Sequence, residues 1–89
     1  MQTFLKDPEA VLDYAMDWAT WLGDGETISS HTVTVDDGLT KDSDSESDGI
    51  VTIWLSGGTI NTTYNIAVEI VTSSGRTDER TFRVMVIQR

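Results

Sequence analysis

Cysteine is absent from this 89-residue chain, and proline and histidine occur once each. Without cysteine, neither a disulfide framework nor a thiolate-bound metal can form, so the stability of the fold must come from packing. A chain of this length makes one domain near the lower end of the sizes that bury a self-sufficient core. A multi-domain enzyme is therefore excluded, and a partner subunit could add stability.

Basic residues are also scarce, because six Lys and Arg stand against 15 Asp and Glu, giving a formal net charge of -9. Nucleic acid and anionic membrane surfaces bind proteins mainly through lysine and arginine, so we expect neither as a partner. No run of about 18 apolar residues could span a bilayer. The start MQTFLKDPEA lacks the basic-then-apolar build of a signal peptide, and we expect a soluble protein that is not secreted.

Strand patterns dominate the second half of the chain. In TYNIAVEIVTS, every second residue from Tyr64 to Ile70 is apolar, which is the period of a half-buried strand. RTFRVMVIQ repeats this pattern from Phe82 to Val86, with a partly apolar opposite face. Between the two lies SSGRTDE, where Gly75 and its polar neighbours favour a turn. These segments predict an antiparallel hairpin.

Three further segments extend the predicted sheets. GIVTIWLSGG is apolar on both faces, which predicts a central strand with Trp54 packed in the core. In ETISSHTVTV, Ile28 is out of phase with Val33 and Val35, which predicts a bulge near residues 29–31. GLTKDS is consistent with a short edge strand. Short strands separated by turns at roughly ten-residue spacing predict an all-β fold, a small antiparallel immunoglobulin-like β-sandwich.

The stretch LDYAMDWATWL combines two periodicities. Apolar residues alternate from Leu12 to Trp18 as in a strand, whereas Trp21 follows Trp18 at helical spacing. Asp17 suits the N-cap of a helix and Gly23 its C-terminal stop. We therefore predict an extended segment followed by one short helical turn at 18–22, which packs both tryptophans onto the sandwich. The predicted structural anchors are Tyr14, Asp17, Trp18, Trp21 and Trp54.

The acidic run DDGLTKDSDSESDG has carboxylates at alternate positions, at Asp44, Glu46 and Asp48, followed by Gly49. Such spacing resembles the start of a calcium-binding loop. That loop requires a bidentate glutamate at its twelfth position, where this chain has Leu55. We interpret residues 42–49 as a solvated, mobile loop, with calcium binding as the alternative.

No motif in the chain predicts catalysis. His31 is the only histidine, and no residue near it has the spacing of a catalytic or metal site. NTT, at 61–63, fits the glycosylation acceptor pattern, and SGGT lacks the lysine of a phosphate-binding loop. We expect no enzymatic activity and no cofactor.

Basic charge gathers in GRTDERTF, where Arg76, Arg80 and Arg83 surround Asp78 and Glu79. One interpretation is an exposed hairpin with cross-strand ion pairs, each contributing about 0 to 1 kcal/mol. The other is an interface, because the planar guanidinium binds carboxylates of a partner at two points.

Several segments together resemble one protein family. FLKDPEAVLDYAMDWATWL, followed by GETI, GLT, VTIWLSGGT, TYNI and SGRTDERTFRVMV, is similar over nearly the whole chain to small structural proteins of tailed bacteriophages, which include fiber-tail adaptors. The resemblance implies a short immunoglobulin-like domain of the virion, made in the bacterial host cytoplasm. Its partners would be other virion proteins of the tail, neck, fiber or capsid, contacted by multiple copies.

Within this framework we expect an N-terminal arm at 1–13 that reaches a neighbouring subunit, and a β-sandwich domain at 14–89. The predicted interface residues are Phe4, Leu5, Lys6, Asp7, Arg76, Arg80 and Arg83. Two alternatives to an adaptor remain open. One is a capsid decoration protein, and the other is a carbohydrate-binding or adhesion sandwich that uses an exposed Trp54 or Trp21 as a stacking platform.

Overall fold

The computed structural model describes residues 3–88, which form seven strands and no helix. The strands are β1 (Thr3–Lys6), β2 (Leu12–Asp17), β3 (Ile28–Val35), β4 (Leu39–Ser47), β5 (Ile50–Gly57), β6 (Thr62–Thr72) and β7 (Thr77–Val86). None of the described residues forms a helix long and apolar enough to cross a bilayer. The predicted all-β class is confirmed.

The strands are divided between a four-stranded sheet, in the order β1-β7-β6-β3, and a three-stranded sheet, in the order β2-β5-β4. All neighbouring strands are antiparallel except β1 and β7, which run parallel. The order is that of a constant-type immunoglobulin sandwich in which the first strand has moved to the other sheet, beside the last strand. The predicted immunoglobulin-like sandwich is confirmed.

The core lies between the two sheets and is built from alternate residues of the central strands. The alternation predicted for β6 and β7 is confirmed, since their inward side chains are at most 4% exposed. The inward side chains of β5 are Val51, Ile53 and Leu55, and all three are fully buried. The predicted bulge in β3 appears as a shift of register between Ile28 and Ser30.

A tyrosine fixes the connection between β5 and β6. The Tyr64 hydroxyl accepts a hydrogen bond of 2.9 Å from the backbone amide of Thr59, five residues upstream. This is the tyrosine corner found in immunoglobulin-like sandwiches. Gly58 lies beside it with a φ of +97°, and a Cβ there would be 2.6 Å from Cγ2 of Val86.

The acidic segment at 42–49 is a strand and a tight turn, not the predicted mobile loop. Residues up to Ser47 belong to β4, at the edge of the three-stranded sheet. Asp48 and Gly49 have φ angles of 54° and 84°, which suit a two-residue hairpin turn to β5. The predicted hairpin at Gly75 is also present, between β6 and β7.

Residues 18–22 form a single hydrogen-bonded turn, as predicted, which does not continue into a helix. The amides of Trp21 and Leu22 both donate to the carbonyl of Trp18, at 2.9 and 3.0 Å. As predicted, the Asp17 carboxylate accepts from the backbone, here from the Ala19 amide at 2.7 Å. The side chains of this turn are held by β7, as described below.

Six of the residues predicted as an arm belong to strands of the sandwich. Residues 3–6 form β1, paired with β7 from Thr3 opposite Arg83 to Lys6 opposite Val86. Residues 12–17 form β2, paired with β5. Residues 1 and 2, also assigned to the arm, lie outside the described residues. The predicted boundary at residue 13 therefore falls within a strand.

The molecule is elongated, with extents of 43 × 19 × 19 Å along its principal axes. The register of the strands places the turns 18–27, 48–49 and 73–76 at one end, which we call the tryptophan end. Segments 7–11, 36–38 and 58–61 lie at the other end, which we call the proline end.

Candidate functional site

At the tryptophan end, Arg76 binds both an aromatic ring and a carboxylate of its own chain. Its guanidinium carbon lies 4.0 Å from the centroid of the Trp21 ring. Its Nε donates to Glu26 Oε2 at 3.0 Å, and its Nη2 donates to Glu26 Oε1 and to the Trp21 carbonyl. Hydrogen bonds from Arg76, followed by those from Thr72 and Gly23, lower the pKa of Glu26 to about 2.

Arg80 repeats this arrangement with the second tryptophan. Its guanidinium carbon is 4.7 Å from the Trp18 ring centroid, and its Nη1 donates to the Asp17 carbonyl at 2.9 Å. The carboxylate is Asp78, whose Oδ2 accepts from Trp18 Nε1 at 2.8 Å and lies 3.6 Å from Arg80 Nε. We call the trios Arg76–Trp21–Glu26 and Arg80–Trp18–Asp78 the arginine clamps.

The clamps fasten the loop after β2 to the beginning of β7. Trp18 and Trp21, both predicted as structural anchors, are fully and partly buried, respectively. Arg76 and Arg80 were predicted as interface residues, but their guanidinium groups bind side chains and carbonyls of the same chain. Arg83 is exposed on the outer face of the four-stranded sheet, opposite Asn65 of β6.

Phe4 and Lys6 of the predicted N-terminal interface face inward. The Phe4 ring centroid lies 5.0 Å from that of Tyr14 and 5.6 Å from that of Phe82, which joins the two sheets at their β1 and β2 edges. Lys6 is fully buried, and its Nζ donates to the carbonyls of Gly57 at 2.7 Å and Asp7 at 2.9 Å. Burial lowers the pKa of Lys6. Their expected role as exposed contacts is corrected by this packing.

An apolar rim surrounds the proline end. Leu5, a predicted interface residue, is 48% exposed. Three other apolar residues near this end were not predicted as interface residues: Val11 at 55%, Leu12 at 38% and Ile60 at 39% exposure. Ile60 stands alone among polar turn residues, so no periodicity distinguishes it. We call Leu5, Val11, Leu12 and Ile60 the apolar rim.

Trp54 is on the surface, which corrects its prediction as a core anchor. Its side chain is 41% exposed on the outer face of the three-stranded sheet. Asp13 of β2 and Ser43 of β4 are its cross-strand neighbours. The strand is apolar on both faces, as the sequence indicates, but no third layer of the described chain covers the outer one.

A cleft of about 440 Å³ at the tryptophan end brings three acidic residues together. Two of the carboxylates are already engaged, since Glu26 binds Arg76 and Glu46 Oε2 accepts from the Gly49 amide at 3.1 Å. The third is Asp48. Residues 3–88 contain no group of three or more His, Cys, Asp or Glu side chains arranged to hold a metal. The lining residues are Ala19, Leu22, Gly23, Glu26, Thr27, Glu46, Asp48 and Gly49.

Asp44, the first residue of the calcium-like pattern, links the two sheets instead. Its Oδ1 lies 2.7 Å from His31 Nε2 on β3, and its Oδ2 accepts from Lys41. Hydrogen bonds from Lys41 and then from His31 lower the pKa of Asp44. The single histidine is therefore a structural contact between β3 and β4.

The protein family follows from comparison with known proteins. No curated protein matches the chain at a significant level. The family model Gp77, described as podophage GP4 fiber-tail adaptor protein gp77, matches residues 6–85. This match spans β2 to β6 and nearly all of β7, together with both arginine clamps, the tyrosine corner and most of the apolar rim. The chain belongs to the family of the podophage GP4 fiber-tail adaptor protein gp77.

Proposed function

We propose that this protein is a non-enzymatic structural component of the phage virion, an adaptor that links tail or neck proteins to fibers or to neighbouring virion subunits. The observation that carries the proposal is the family match over residues 6–85. The fold supports it, because a rigid sandwich held by clamps at one end offers a fixed shape to its partners.

The apolar rim is the surface that we assign to one neighbour. Its four residues lie near one end of an elongated molecule, and among the described residues Trp54 is the other large hydrophobic residue that is exposed. Exposed apolar residues gathered at one end of a small protein are a candidate protein contact. Leu5 is a predicted interface residue within the rim, and two others, Asp7 and Arg83, are partly or wholly exposed on the proline half of the molecule and extend this contact.

Repetition on the particle would strengthen each contact. We expect several copies of the adaptor at symmetric positions on the particle, and linked contacts bind with a high effective concentration. A small rim can therefore hold an assembly that a single copy would not hold.

Incorporation into particles tests the proposal. The double variant Val11→Asp, Ile60→Asp places two charges on the rim, and we expect it to fold with an unchanged Tm but to be lost from virions assembled without wild-type protein. The matched control is Ser74→Asp, an exposed position in the β6–β7 turn, which should be incorporated normally. Full occupancy by the rim variant would refute the contact.

Copy number separates the adaptor from a decoration protein. Quantitative mass spectrometry of purified virions should give a copy number that follows the tail or neck proteins. A copy number that follows the major capsid protein would instead identify a decoration protein of the head.

A further inference from the structure

The three tryptophans of the chain have unequal surroundings. Trp18 and Trp21 each carry an arginine guanidinium over the ring, and a carboxylate binds that guanidinium. Trp54 is 41% exposed, and no cation of the described residues is placed over its ring. Of the three tryptophan rings, Trp54 is therefore the one that a cation from another molecule can reach.

Carboxylates lie next to the open ring, as they do in the two arginine clamps. Asp13 is directly opposite Trp54 across the β2–β5 pair, and residues so paired face the same side with Cβ atoms about 4.5 to 5.5 Å apart. On the β4 side, Ser43 is opposite Trp54, and the carboxylate of the adjacent Asp42 accepts from the Ser56 hydroxyl at 3.0 Å. Ser56 is two residues from Trp54 and shares its face of the sheet.

The charge of the molecule favours a basic occupant. The formal net charge is -9. Among residues 3–88, no cation is placed over the Trp54 ring, and Arg83 lies on the outer face of the other sheet. Lys6 binds backbone carbonyls, Lys41 binds Asp44, and both clamp arginines lie at the tryptophan end. An indole with nearby carboxylates attracts a cation through the ring quadrupole and through charge.

We propose that Trp54, Asp13 and Asp42 receive an arginine side chain from a basic segment of a neighbouring virion protein. The guanidinium lies over the indole and donates to the carboxylates, which completes a third arginine clamp between two proteins. Arginine fits better than lysine because its planar group stacks on a ring and presents a fork of donors. The inference rests on the proposed function, which supplies the neighbouring protein.

Binding of a defined peptide tests this site on the full chain. The indole N–H signal of Trp54 in ¹⁵N-labelled protein, assigned by its loss in Trp54→Phe, is followed by NMR during titration with a capped peptide of alternating glycine and arginine. The matched peptide carries citrulline, which has a similar planar shape without the charge. We expect a saturable shift of Trp54 but not of Trp18, with the citrulline peptide binding about tenfold more weakly.

Variants distinguish the contribution of the Trp54 ring to peptide binding from that of the two carboxylates. The double variant Asp13→Asn, Asp42→Asn should weaken the arginine peptide by about tenfold, and Trp54→Ala, followed by the Ser43 amide signal, should abolish binding. Two carboxylates on the outer face of the other sheet provide the control, since Glu69→Gln, Glu79→Gln makes the same change of net charge at a distance. This control should bind as wild type does.

Three results would overturn the site: equal binding of the citrulline peptide, equal loss in the control variant, or no shift of Trp54. A saturable shift of Trp54 with maltohexaose and none with the arginine peptide would identify a carbohydrate platform and would also refute the proposal. Detection of wild-type protein in purified virions is independent of these titrations. A negative titration with the protein present in virions would therefore remove the arginine site and leave the proposed function standing.

Discussion

At the scale of single residues, Glu26 couples the Arg76 clamp to pH. Its pKa falls from 4.5 to about 2 in the folded protein, so the stabilisation is complete above pH 4.5 and is lost as the pH falls toward 2. We predict that Glu26→Gln lowers Tm at neutral pH and flattens the loss of stability in this acid window. Calorimetry between neutral pH and pH 2 measures both effects. Asp24→Asn, an exposed change in the same loop, should leave the acid slope as in wild type.

Gly58 tests the tyrosine corner. A Cβ at this position would lie 2.6 Å from Val86 Cγ2 and 3.3 Å from Leu39 Cδ1, with a φ of +97°. We predict that Gly58→Ala destabilises the fold by about 2 to 4 kcal/mol in urea denaturation, from overpacking and backbone strain together. Gly75→Ala is the matched control, since its φ is +86° and nothing lies within 4 Å. It should cost about 1 kcal/mol from strain alone, and an equal cost for both would contradict the packing argument.

The burial of single residues could be predicted from the sequence in some cases and not in others. The inward residues of β6 follow from alternation alone, because a half-buried strand must separate apolar from polar faces. Lys6 could not be predicted as buried, because its ammonium is satisfied by the carbonyl of Gly57, 51 residues away. The prediction that Trp54 is buried was wrong for a related reason. A strand that is apolar on both faces does not show whether a second layer covers each face.

At the scale of elements, the loop after β2 owes its shape to β7. The helical spacing of Trp18 and Trp21 and the Asp17 cap predict the single turn that is present. Hydrogen bonds to Asp78 and from Arg80 fix its position on the sandwich. The sequence indicates the arginines as candidate contact residues. It does not predict which tryptophan each arginine contacts, because the paired residues are far apart in the chain.

Replacement of Arg80 should loosen this loop. We predict that Arg80→Ala destabilises the protein by about 1 to 3 kcal/mol, because Asp78 loses its guanidinium and the Asp17 carbonyl loses its donor. Arg80→Lys keeps the charge and loses the planar stack, so its effect should be intermediate. Urea denaturation gives the stabilities, and near-ultraviolet circular dichroism reports the packing of Trp18. A wild-type spectrum for Arg80→Ala would show that the clamp does not hold the ring.

The edge strand β4 illustrates why an acidic segment was interpreted as a loop. Its serines and aspartates have low strand propensity, and only pairing with β5 makes it a strand. Charged side chains on an edge also discourage pairing with a further sheet. The same composition therefore suits both a solvated loop and a protected edge.

At the scale of the whole molecule, the N-terminal strands belong to the folding unit. Removing residues 1–13 deletes β1, the Phe4 ring and the first two residues of β2. We predict that the chain 14–89 loses cooperative thermal unfolding, whereas a chain that begins at Thr3 keeps the described contacts and a similar Tm. Calorimetry compares the two. A cooperative transition for chain 14–89 would restore the separate arm that the sequence suggested.

The general architecture was predictable because strand patterns and turn residues agree along most of the chain, and the family resemblance covers nearly all of it. The placement of β1 was not predictable, since a four-residue strand carries too little pattern to choose between two sheets. The apolar rim was equally hard to predict, because its members come from three separate segments that the fold places near one end.

The parallel pairing of β1 with β7 has a mechanical consequence. Both strands run toward the proline end, so a pull that separates the start of β1 from the end of β7 acts along the two strands in opposite directions. Such a load shears the β1–β7 hydrogen bonds all at once and does not peel them apart one by one. The domain should therefore resist tension applied between these two points more strongly than tension applied across a hairpin such as β6–β7.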